Sequence, residues 1–111
     1  MASDHSLELY TLKAELCKSF ADPRRQMLID ALRKGESTVG NLARALEIPQ
    51  AVVSRHLAIL RERGVASARR EGTNVYYSLS DPKIGEACDM MHQILLGQVE
   101  KNKELAERLI A

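Results

Sequence analysis

Residues 39–60 read VGNLARALEIPQAVVSRHLAIL, and this stretch decides how the rest of the chain is read. Thr38 stands before it as an N-cap, because its hydroxyl can accept from a free amide in the first turn of a helix over Val39–Leu46. Pro49 suits the opening of a second helix, where a missing N–H costs nothing. That helix runs to about Arg63 and stops at Gly64. Leu42, Ala43, Leu46, Ile48 and Val53 fall where two helices joined by a tight turn need core residues, with the small Ala43 at their close crossing. The second helix then exposes Gln50, Ala51, Ser54 and Arg55 near its N-terminal end. Gln can pair with adenine, Arg with guanine, Ser with either, and an Ala methyl can meet that of thymine. The pattern over 38–63 therefore predicts a helix-turn-helix aimed at a DNA major groove. A plain helical hairpin with no ligand satisfies the same spacing. Glu47 departs from the usual pattern by filling a turn position where Gly is common.

Immediately downstream, from Val65, the period changes. VASARR and NVYYSL are short strand-like runs joined by Glu71-Gly72-Thr73, which predicts a hairpin over 65–79 with Gly as the turn residue. A helix-turn-helix followed at once by a basic hairpin is a winged helix. Arg69 and Arg70 can then lie along phosphates or in a minor groove, adding affinity with little reading of sequence.

Upstream, Leu9, Leu12, Leu16 and Phe20 recur at helical spacing over 7–21 and end at Ala21-Asp22-Pro23. A second helix from Arg25 to Lys34 is expected to carry Met27, Leu28, Ala31 and Leu32 on one face, with Gly35 closing it. At the other end, Asp81 as cap and Pro82 as first helical residue open a helix over 82–110. Ile84, Cys88, Met91, Leu95, Leu105 and Leu109 form an a/d-like stripe on it, with Gln98 and Asn102 as polar steps. So long a stripe needs a partner, either the first helix or a second copy of the chain.

Composition agrees with one mainly α-helical domain over 1–111, carrying a small β wing. A chain of 111 residues can bury roughly two thirds of its unfolded surface. With 45% hydrophobic and 28% charged residues it is neither disordered nor fibrous. No apolar run approaches the ~20 residues of a membrane span, and the first ten residues lack the features of a signal peptide. Two cysteines exclude a disulfide-stapled secreted scaffold, so the expected compartment is the cytoplasm. The net charge of +1 conceals a polarised distribution: residues 24–70 hold ten Arg or Lys against four Asp or Glu, between two acidic flanks. A charge cluster can be only a solvated face, but a basic centre is also the footprint of a small DNA reader.

Three segments together, FADPRRQMLIDAL (20–32), VGNLARALEIPQAVVSRHLAILRERGV (39–65) and ARREGTNVYYSLSDP (68–82), resemble the ArsR/SmtB-type family of bacterial repressors, in the same order and with the same gaps. The resemblance covers roughly residues 9–83. It implies a homodimer of winged-helix protomers joined through the first and last helices. It also implies a repressor that binds an inverted-repeat operator and is released by an inducer, commonly a metal ion, an arsenical or a redox signal. Gln50, Ala51, Ser54, Arg55 and His56 would read or orient on DNA, and Arg69 and Arg70 would hold its backbone.

Most of that family's metal positions are empty in this chain. Ser37–Leu42 carries no thiol where the arsenic and cadmium type has cysteines. Asp81 is kept where the zinc type has an Asp, but Lys83, Ile94 and Gly97 stand where its other ligands belong. Protonated Lys cannot serve as a ligand, and Ile and Gly offer no donor. No metal site and no cofactor is therefore expected. His56 matches the family's SrHL pattern, where structural or phosphate-contact duty outweighs metal binding. His92 lies one turn beyond Cys88, and the two could form a ligand pair only with partners from elsewhere.

Cys17 and Cys88 fall on the first and last helices. Two readings stay open. They can be small buried hydrophobes, as free cysteines often are, or a thiol switch responding to oxidant, persulfide or trivalent arsenic. The family's persulfide sensors also use two cysteines, but their other thiol lies on the second helix, where Leu28–Leu32 has none. A metal-responsive repressor with a non-standard Cys/His site and a winged-helix protein-interaction module are the alternatives. An enzyme is not expected, since no nucleophile–base set or glycine-rich phosphate loop occurs.

Overall fold

The computed structural model describes residues 4–110, with side chains from Ser6 onward. Six helices and one hairpin follow in order: α1 (Asp4–Lys18), α2 (Pro23–Leu32), α3 (Val39–Leu46), α4 (Gln50–Glu62), β1 (Ala66–Glu71), β2 (Asn74–Leu79), α5 (Lys83–Glu100) and α6 (Lys103–Leu109). They fall into two compact units, 1–81 and 82–111.

In the first unit, local chemistry sets each boundary. Asp22 caps α2 by accepting from the Arg24 amide at 2.8 Å and the Arg25 amide at 3.3 Å, with Pro23 as first helical residue. Helix α1 accordingly ends at Lys18 and begins at Asp4, three residues earlier at each end than the 7–21 expected. Thr38 caps α3 by accepting from the Asn41 amide at 3.2 Å. Pro49 sits one place outside α4, as its N-cap. Glu47 closes α3 with φ 55°, and its amide reaches back to the Ala43 carbonyl. A left-handed backbone is the conformation that favours Gly there.

The core lies under α4, which packs on α2, α3 and β1. Val53, Leu57 and Leu60 are fully buried beneath it, joined by Leu28, Ile29 and Leu32 of α2, Leu42 of α3, and Ile48 and Val65. Each such side chain contributes about 1.5–3 kcal/mol by leaving water. The inner face of α2 is thus built on Ile29, and the Met27 expected there is exposed. Ile at that position turns the buried stripe by one residue, to 28, 29 and 32.

The hairpin pairs β1 and β2 antiparallel from Ala66↔Leu79 to Glu71↔Asn74, leaving Gly72-Thr73 as the loop. Gly72 has φ 63°, as a two-residue hairpin loop requires. Ser37 adds a bridge on the other edge of β2, donating to the Tyr77 carbonyl at 3.0 Å and accepting from its amide at 2.8 Å. The approach to α3 and the wing are thereby stitched together.

In the second unit, the single helix expected over 82–110 is broken. Lys101 ends α5, and Asn102 starts α6 by accepting from the Leu105 amide at 3.1 Å. Pro82, expected as the first helical residue after an Asp81 cap, itself occupies the N-cap position and brings no side-chain cap bond. Met90, Met91, Ile94 and Leu95 on α5 are exposed, as are Leu7, Leu9, Tyr10, Leu12 and Leu16 on α1. No helix among the described residues is long and apolar enough to cross a membrane.

Replacing Glu47 by Gly should raise the stability of the fold by about 1 kcal/mol, since Gly carries no Cβ penalty in the left-handed region. Urea unfolding checks this; a lower midpoint would contradict the reading of the turn.

Candidate nucleic-acid interface

Helix α4 presents two chemically different faces. Val53, His56, Leu57 and Leu60 turn inward, while Gln50, Ala51, Ser54, Arg55, Ala58 and Arg61 are exposed. The exposed positions recur at intervals of three and four, so they line one side of the helix. Four of the residues singled out from the sequence, Gln50, Ala51, Ser54 and Arg55, therefore share a surface at the N-terminal end. No side chain caps α4, and uncapped first-turn amides suit a phosphate oxygen.

His56 does not share that surface. It is only 6% exposed, and its Nδ1 lies 3.3 Å from the Arg25 guanidinium. Arg25 can only donate, so Nδ1 is the acceptor and the imidazole is neutral with its proton on Nε2. Nε2 faces the Asp22 carboxylate at 3.9 Å. Burial pushes the His56 pKa below its ordinary 6.5; the charges of Arg25, Arg55 and Arg24 add to this, and Asp22 opposes it. His56 is thus corrected from a DNA-facing residue to an internal one that orients the helix. Its partner Arg25 also donates from Nε to the Ser19 carbonyl at 3.0 Å and from a terminal nitrogen to the Lys18 carbonyl at 3.1 Å. One guanidinium therefore closes the C-terminus of α1 and holds the middle of α4. Asp22 is opposed by burial, but the backbone donors of Arg24 and Arg25 and the charges of His56 and Arg25 outweigh that and hold its carboxyl below the ordinary value.

The wing arginines differ from each other. Arg69 donates to both oxygens of Glu36, at 2.6 and 3.2 Å, and to Glu71 at 2.7 Å, and it lies 4.9 Å over the ring of Tyr76. These hydrogen bonds, first from Glu36 and then Glu71, raise its pKa, and the Arg69 hydrogen bond lowers that of Glu36. Arg69 therefore braces the wing against the segment before α3, with half of its side chain still exposed. Arg70 points to the opposite face of β1 and has no ion pair or side-chain hydrogen bond among the described residues.

Cys17 is exposed on α1 and Cys88 half-buried on α5, both as thiols. Among the described residues no group of three or more His, Cys, Asp or Glu side chains is arranged to hold a metal.

Comparison with known proteins adds to this geometry. The pattern defining the family "Bacterial regulatory protein, arsR family" matches residues 22–68. The chain is 36% identical over 87 residues to the biofilm growth-associated repressor of Agrobacterium fabrum, spanning 78% of this chain and 74% of that protein. It is 34% identical over 79 residues to the transcriptional activator HlyU of Vibrio cholerae, spanning 71% of this chain and 73% of that one. Among solved structures, it resembles the homodimeric winged helix-turn-helix DNA-binding domain of a possible ArsR-family transcriptional regulator from Mycobacterium bovis. That likeness has a TM-score of 0.77 at 28% identity and covers 86% of this chain and 88% of the other.

Because the folded state depresses the His56 pKa, the stability it lends is complete above about pH 6.5 and is lost as pH falls below that value. The urea midpoint should therefore decline from pH 7 to pH 5, and an NMR titration should place the imidazole below 6.5. The Asp22 carboxyl acts in a separate window, below its ordinary 3.8. A flat midpoint through pH 7 to 5 would contradict the neutral, buried assignment of His56.

Proposed function

The chain belongs to the ArsR family of bacterial regulatory proteins, DNA-binding transcription regulators rather than enzymes, and from that premise we propose that it is a homodimeric repressor of an inverted-repeat operator. The observation that carries the proposal is the two-faced α4, whose outward side gathers Gln50, Ala51, Ser54 and Arg55 while its inward side is locked into the core. In this reading α4 enters the major groove and those four residues meet base edges. Arg70, on the open face of the wing, meets phosphate. The exposed apolar side chains of α1, and separately those of α5, are surfaces on which a second copy can dock, and the related Mycobacterium bovis domain is itself homodimeric. Two-fold symmetry then requires a palindromic site with half-sites about one DNA turn apart.

Release is assigned to the thiols. Cys17 is open to solvent on α1, so an oxidant reaches it directly, and Cys88 lies on α5. With hydrogen peroxide, two thiols lose two protons and two electrons, one S–S bond forms, and the peroxide leaves as two waters. A bridge between Cys17 and Cys88, within or across protomers, ties α1 to α5 and changes the separation of the two α4 helices. Taking the protein from nearly all bound to nearly all free needs about 5.5 kcal/mol against the DNA-competent state, a magnitude within reach of a covalent tie. Polysulfide is a second oxidant of the pair, taking up the two electrons as one of its S–S bonds breaks and leaving as hydrosulfide. Trivalent arsenic instead bridges the two thiols without oxidation, exchanging two hydroxides for two thiolates and releasing two waters.

The test is fluorescence anisotropy with a labelled duplex from the region upstream of the gene and a scrambled duplex of equal length. Arg55→Ala and Gln50→Ala should each cost about 1–3 kcal/mol on the upstream duplex if each makes a bidentate contact. Arg70→Ala should weaken both duplexes alike. Oxidant, polysulfide or arsenite should release the parent, and Cys17→Ser and Cys88→Ser should blunt that release. No binding by the parent would overturn the DNA reading, and variants that respond as the parent does would overturn the thiol assignment alone.

A further inference from the structure

We propose that Arg24, at the start of α2, is a second phosphate-gripping residue that acts beside Arg55 at the edge of the groove entered by α4; the inference rests on the DNA reading above. Arg24 opens the helix that packs against α4 beside His56. One oxygen of Asp22 lies 2.8 Å from the Arg24 amide and 3.9 Å from His56 Nε2, so the first turn of α2 is seated against the middle of α4. Arg55 is the residue before His56, and the charges of Arg24 and Arg55 both act on that imidazole. Arg24 and its neighbour Arg25 have opposite fates. Arg25 is turned inward onto the Lys18 and Ser19 carbonyls and His56. Arg24 is exposed, and neither it nor Arg55 has an ion pair or side-chain hydrogen bond among the described residues.

An exposed guanidinium with no carboxylate partner attracts an anion. A duplex supplies such anions at regular spacing, and a guanidinium matches a phosphate bidentately. Arg24 is also rigidly placed for the task. The Asp22 cap, the Arg25–His56 contact and the buried Leu28, Ile29 and Leu32 fix α2 to α4, so Arg24 travels with the recognition surface as one piece. A contact of this kind registers α4 on the backbone and carries no sequence information.

The experiment is the same pair of labelled duplexes, titrated at several salt concentrations with the parent, Arg24→Ala and Arg24→Lys, each checked for unchanged unfolding. Arg24→Ala should lose about 3- to 10-fold in affinity on both duplexes alike at ~0.1 M salt. The slope of log affinity against log salt should fall by ~0.9 for each protomer engaged. Arg24→Lys should recover much of that slope, because Lys keeps the point charge. A parent that binds while Arg24→Ala matches it in affinity and slope overturns this inference and leaves the DNA reading intact. A loss confined to the upstream duplex also overturns it, since that is base reading. A parent that binds neither duplex overturns the DNA reading and this inference together.

Discussion

The guanidinium of Arg25 ties the end of α1 to the middle of α4. It donates to two carbonyls at the end of α1, and it holds α4 through the one imidazole that the helix buries. The contact works only while His56 is neutral, because a protonated ring offers no acceptor and sets two cations 3.3 Å apart. Burial and the surrounding arginines favour the neutral form. The junction also gives a physical route from the surface of α1 to the pitch of α4. Any change that shifts the end of α1 must move Arg25, break two carbonyl contacts or drag α4 with it.

The second ordering principle is the division of the central arginines into engaged and open groups. Arg25 is internal, Arg69 is bound between Glu36 and Glu71, and Arg63 reaches the Glu15 carbonyl at 2.6 Å. These hold the fold, α1 included. Arg24, Arg55 and Arg70 have no such engagement among the described residues. A charge total over residues 24–70 counts both groups equally, yet only the open ones are available to an anion. Surface ion pairs are individually weak, but the Arg69 pair is bidentate and stacked on Tyr76, which gives it positional value beyond its energy.

What the sequence made legible was what local chemistry decides. The Thr38 cap, the span of α3, the hairpin loop at Gly72 and the stop at Gly64 each follow from one or two residues. The outward set on α4 was equally legible, since helical spacing sorts it from Val53 and Leu57. Long-range partners were not. Glu36 and Arg69 are 33 positions apart, and Arg25 and His56 are 31 apart, so no periodicity reports either contact. Arg24 escaped notice because a residue beside a cap reads as helix start, and its place beside α4 exists only once α2 has packed. The break at Asn102 had a local signal: Asn is a good N-cap, and Lys-Glu-Leu behind it suits a first turn. The heptad-like stripe concealed it by making Asn102 look like one polar step in a continuous helix.

The central claim is that the outer face of α4 and the open face of the wing are the surfaces that meet DNA. Amide chemical-shift mapping by NMR, with unlabelled upstream duplex added to isotope-labelled protein, tests it most directly. The account predicts that the largest changes fall on Gln50–Arg55, on Arg24 and around Arg70, with α6 little affected. Saturable binding with shifts confined to α5 and α6, and none on α4, would contradict it.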